Sequence, residues 1–90
     1  MQSTMNLLEQ ALQLNPPQYW HKKLNLNRNA LHNAQQRGHI SPAIAGALAE
    51  ELGEDPSKWI VIAALESERD SACKTRMLKR LQQPHKGLMM

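Results

Sequence analysis

Side chains able to hydrogen-bond the edges of nucleic-acid bases are gathered in one stretch of this 90-residue chain, between Gln18 and Gly38. Arg28, Asn29, His32, Asn33 and Gln36 recur at spacings of one, three and four residues, which places them on one outward face of a helix over residues 28–37. The chemistry of such a face is recognition: Arg pairs with guanine, while Asn and Gln pair with adenine. No acid lies within the stretch to repel a phosphate. Asn27, as the expected N-cap of that helix, and Pro16–Gln18 at the start of the preceding one would turn backbone N–H groups toward phosphates.

Other chemistries find less support. His21, His32, His39 and His85 have neither the close pairing nor the cysteine partners of a zinc site. Glu50, Glu51, Glu54 and Asp55 gather where one expected helix ends and the next begins; Asp55 has capping work there, and the others read as a solvated face. Ser41, directly before Pro42, reads as a cap, since no histidine and acid can be argued around it as activators. Cys73 is the single cysteine, without a partner for an internal disulfide, and reads as an inert thiol. No glycine-rich phosphate loop is present. The expectation is a non-enzymatic chain with no metal, no cofactor and no small-molecule ligand.

Charge is segregated along the chain. The formal net charge is +3, but residues 10–49 hold Lys22, Lys23, Arg28 and Arg37 with no acid. Residues 50–70 set seven acids against Lys58 and Arg69, and residues 71–90 hold Lys74, Arg76, Lys79, Arg80 and Lys86 with no acid. Two basic blocks around an acidic one imply a surface facing a polyanion and a surface turned away from it. Apolar residues make up 41% of the chain, yet Phe is absent and Tyr19, Trp20 and Trp59 are the only aromatics. Leu, Ile, Ala and Met supply the bulk, with few β-branched residues, so the fold class expected is all-α. The longest apolar run, residues 59–65, is far shorter than the roughly 20 residues of a membrane span. With no charged-then-apolar leader either, a cytoplasmic chain without membrane contact is expected.

Five to six helices must position the recognition face. Leu7, Leu8, Ala11 and Leu12 share a face of the first, with Asn6 and Glu9 at capping-box spacing. Asn15 is the expected cap of the second, with Pro16 in its first position, and Asn25 interrupts it in the left-handed conformation that a tight turn needs. The third starts from Asn27 and stops at Gly38, and Trp20, Leu24, Leu26, Leu31 and Ala34 face inward across the pair. Ser41-Pro42 and Asp55-Pro56 each place a cap before a first-turn proline. The helix from Pro42 ends at Leu52 before Gly53, and its interior Gly46 marks close backbone packing. The helix from Pro56 is apolar on nearly every side through Leu65, which predicts burial from more than one direction. A last helix over about 71–83 shows Ala72, Met77, Leu78 and Leu81 on one face. The domain is expected to span 1–83, and 84–90 to form a mobile tail after Pro84.

The spacing Trp20, Leu24-Asn25-Leu26, Leu31, Ala34, Gly38 resembles the helix-turn-helix of lambda repressor/Cro-like regulators, and Ala30-Leu31-His32-Asn33-Ala34 is similar to a Cro-type recognition helix. Ser41-Pro42 to Gly53 and then Asp55-Pro56 resemble the fourth and fifth helices of that superfamily, so the likeness covers about residues 6–66. Taken whole, the chain is similar to small regulators of phages and prophages, including those of filamentous phages. Two positions depart from the pattern: His21 stands where a small residue is usual, and Asn25 where glycine is usual. The resemblance implies base-edge contacts from Arg28, Asn29, His32 and Asn33. It implies contacts to the DNA backbone from Lys22, Lys23, Arg37 and His39, beside Gln18 and Asn27. It also implies dimers on double-stranded DNA, with half-sites about one turn apart.

The reading that follows is a sequence-specific DNA-binding regulator, with affinity from basic side chains and specificity from the third helix. Trp59, Ile60, Met77, Leu78 and Leu81 are the candidate homodimer surface; the competing reading has Trp59, Ile62 and Ala63 closing the monomer core. The alternative function is a helix-turn-helix scaffold reused as a protein-binding module, such as a host-factor inhibitor or an antitoxin-like partner, working through the acidic stretches and the apolar girdle.

Overall fold

The computed structural model describes residues 3–82, and over these it is all-helical. Helix α1 spans Thr4–Leu14 and starts earlier than Asn6. Ser3 and Asn6 form the capping box, the Ser3 N–H donating to Asn6 Oδ1 at 2.9 Å. Two caps compete at the same spacing, and the earlier one prevails because the extra turn buries Thr4 along with Leu7, Leu8 and Ala11. Helix α2, Pro17–Lys23, likewise departs from expectation. Asn15 belongs to the exit of α1, Pro16 is the N-cap, and Pro17 takes the first helical position. Two consecutive prolines shift the start by one residue, because either ring suits a first turn.

Residues 24–29 separate α2 from α3, Ala30–Arg37. Asn25 is left-handed, at φ 54°, as the turn required, and the Leu26 N–H donates to the His21 carbonyl at 2.8 Å. Asn27 does not begin α3. Its Oδ1 accepts the Asn29 N–H at 2.9 Å and its carbonyl accepts the Ala30 N–H, closing a turn ahead of the helix. Gly38 ends α3 at φ 88°.

Helices α4, Pro42–Glu51, and α5, Pro56–Glu66, start where their Ser-Pro and Asp-Pro pairs predict, with Ser41 Oγ accepting from Ile44 N–H and Asp55 from Ser57 N–H. A Cβ on Gly46 would lie 2.8 Å from Ile60 Cγ1, so this glycine lets α5 seat directly on the α4 backbone. The core joins Leu7, Leu8, Trp20, Leu31, Ile40 and Leu48 to Trp59 and Ile62. Trp20 Nε1 donates to the Ala11 carbonyl at 2.9 Å and ties α2 to α1. As expected, α5 is packed from more than one direction, by α4, α6 and α1. Trp59, Ile62 and Ala63 are buried there, whereas Ile60, Val61 and Ala64 are exposed. Ile60 rests on Gly46 of α4 and is still partly open to solvent, as are Val61 and Ala64.

Helix α6, Ala72–Gln82, is separate from α5. Ser71 Oγ accepts the Lys74 N–H at 3.0 Å, and Leu78 and Leu81 pack against the core. The final residue of the expected helix, Gln83, and the expected tail at 84–90 lie outside the described residues. No described helix is long and apolar enough to cross a membrane.

A long-range link was not legible in the sequence. The Thr4 N–H donates to Glu66 Oε2 at 3.0 Å, and the Thr4 hydroxyl donates to Glu66 Oε1. The same hydroxyl accepts the Ile40 N–H at 3.2 Å. A carboxylate at the end of α5 thereby holds the N-terminus of α1, where the helix dipole favours negative charge, and through Thr4 fixes the segment between α3 and α4.

Candidate nucleic-acid interface

The inward residues of the α2–α3 pair behave as their spacing predicts. Trp20, Leu31 and Ala34 are buried, and Leu24 and Leu26 are half-buried against the core. This packing leaves the opposite side of α3 in water, where His32, Asn33 and Gln36 are exposed. Arg28 and Asn29 are exposed too, but they lie in the turn before α3 and not in its first helical turn. The helix expected over 28–37 is thus two residues shorter at its start, because Asn27 closes a turn in place of capping. Asn29, the N-cap residue by backbone position, makes no side-chain cap hydrogen bond.

Asn27, Asn29, Asn33 and Arg37 meet around an open hollow of about 440 Å³, completed by Ala30 and Ile44. Arg28 and His32 are outside its lining. Ile44, from the first turn of α4, has no sequence signal as a site residue, since only the tertiary fold brings it to the hollow. The hollow holds three amide side chains and a guanidinium with no acid, a set rich in donors and suited to base edges or phosphate oxygens.

The surrounding residues divide. Gln18 and Lys22 are exposed on α2. Lys23 Nζ lies 3.8 Å from Glu51 Oε1, so this cation pairs across to the end of α4. His39 is half-buried, and its Nδ1 is buried without a hydrogen-bond partner; the same is true of His21 Nε2, at the position where the resembled family has a small residue. Trp59 is 3% exposed and is used inside the monomer, with Lys58 Nζ 5.6 Å from its ring centre. Leu78 and Leu81 are half-buried in the same way, which leaves Ile60 and Met77 exposed among the residues expected at a dimer surface. Among the described residues no group of three or more His, Cys, Asp or Glu side chains is arranged to hold a metal ion. No protein-family model, curated protein or solved structure matches the chain.

Proposed function

We propose that the chain is a sequence-specific DNA-binding regulator of the lambda repressor/Cro-like kind, with α2 and α3 as its helix-turn-helix and no catalytic activity. The observation that carries the reading is the α2–α3 pair itself: a left-handed Asn25 in the turn, an apolar inner side, and an outer side of Arg28, Asn29, His32 and Asn33 free of acids. Arg28, Asn29 and Asn33 read base edges in the major groove, with His32 beside them. Lys22, Arg37, Gln18 and Asn27 hold the sugar–phosphate backbone. Lys23 and His39 take smaller parts, since Lys23 must leave Glu51 and His39 is half-buried.

Binding of the purified protein to DNA flanking its own gene, against scrambled DNA, at 50 and 200 mM salt tests this reading. Preference for the flanking DNA that survives the higher salt is the expected result. Equal loss on both DNAs would reduce the protein to a nonspecific polycation. No binding at either salt would favour the second reading, a protein-binding module. The exposed apolar side chains Ile60 and Val61 on α5 support that rival.

A further inference from the structure

The basic residues of α6 are not used by the site described above. At 3.6 residues per turn, Arg76, Lys79 and Arg80 fall within about a 100° arc. All three are exposed, and none forms an ion pair among the described residues. The opposite side of α6 is committed to the fold, with Leu78 and Leu81 on the core and Lys74 drawn inward. Lys74 Nζ donates to the carbonyls of Glu66 at 3.2 Å and Glu68 at 2.8 Å, and lies 3.3 Å from Asp70 Oδ1. The fourth cation of α6 is therefore structural, and it clamps the helix to the end of α5.

That clamp also joins α6 to a wider hydrogen-bonded series. Lys74 holds Glu66, the Glu66 carboxylate holds Thr4, and the Thr4 hydroxyl holds the Ile40 N–H. Ile40 lies two residues beyond Gly38, the end of α3. A short series of hydrogen bonds thus links the first turn of α6 to the segment that follows the proposed reading helix.

We infer that Arg76, Lys79 and Arg80 form a second contact to a double-stranded DNA backbone, on the same duplex that α3 reads; the inference rests on the proposed DNA-binding function. Like-signed charges on one side of a rigid helix suit a regular polyanion, and their contribution is independent of sequence. Insertion into an anionic membrane is a poorer use, because Leu78 and Leu81 are turned to the core and Met77 alone of the large apolar residues of α6 is exposed.

Cys73, the only cysteine and exposed on α6, offers a direct test. An iron chelate attached there, on protein bound to a duplex from the region flanking its gene, is expected to cut the backbone at one edge of the protected segment. In parallel, the triple variant Arg76→Gln, Lys79→Gln, Arg80→Gln is expected to lower the slope of log affinity against log salt by about 2.7, at about 0.9 per phosphate contact, with sequence preference kept. Diffuse cutting, or an unchanged slope in a variant with wild-type helicity, overturns the α6 contact while leaving the α3 reading in place. A wild-type protein that binds no DNA at all overturns both.

Discussion

Arg28 and Lys22 are both exposed cations, but they stand in different places and are expected to fail differently. Arg28 stands just ahead of α3, and the proposed function has it pair with guanine. Arg28→Ala should cost about 1–3 kcal/mol on the preferred duplex and relax the choice of base. Lys22→Ala should weaken all sequences alike and reduce the salt slope by about 1. Fluorescence anisotropy on preferred and scrambled duplexes separates the two, and normal binding of every duplex by the Arg28 variant would remove Arg28 from the reading. Asn25 makes a stability prediction of its own. At φ 54° most side chains are strained, so Asn25→Ala should lower stability by about 1 kcal/mol while Asn25→Gly stays close to neutral. Equal melting temperatures for the two variants would count against the turn as described.

Among the elements, the relay through Thr4 joins the start of α1, the end of α5 and the segment after α3. Thr4 is fully buried and its hydroxyl both donates and accepts, so Thr4→Val leaves the Ile40 N–H without a partner. A loss of about 1–3 kcal/mol is expected in urea denaturation, and Thr4→Ser, which keeps the hydroxyl, should lose less. A neutral Thr4→Val beside a clear loss in Thr4→Ser would show that the methyl group and not the hydroxyl matters. The helix starts themselves were unequally legible. Ser41-Pro42 and Asp55-Pro56 each offer one cap and one first-turn proline, and both work as expected. Ser3, Asn6 and Glu9 offer two overlapping capping boxes, and Pro16-Pro17 two first positions. Burial of the added turn decides the first pair, and Pro17 decides the second by holding Pro16 extended.

At the scale of the molecule, the exposed apolar residues Ile60, Val61 and Met77 are each a little over 40% accessible. They are a smaller candidate dimer surface than the sequence suggested, since Trp59 is buried inside the monomer and Leu78 and Leu81 pack against its core. If Ile60 and Val61 join two copies, sedimentation should show a dimer at micromolar concentration, and Ile60→Glu should return it to a monomer with its helical signal intact. A wild-type monomer well above that concentration would remove the dimer. A palindromic site would require such a dimer to hold its two copies of α3 about one DNA turn apart.

By itself the sequence determined five to six helices, the left-handed turn at Asn25, the glycine stop at Gly38 and the inward side of the α2–α3 pair. Capping and helical periodicity act over three or four residues, so these features are written within the segments that show them. Tertiary structure alone decided that Ile60 rests on Gly46 yet stays exposed, and that Arg28 precedes α3. It alone brought Ile44 to the hollow and set Glu66 on Thr4, 62 positions away in the chain. An acid in a polar turn looks the same in sequence whether it faces water or a helix N-terminus. Burial and long-range hydrogen bonds depend on which surfaces meet, and that follows only once the helices have packed.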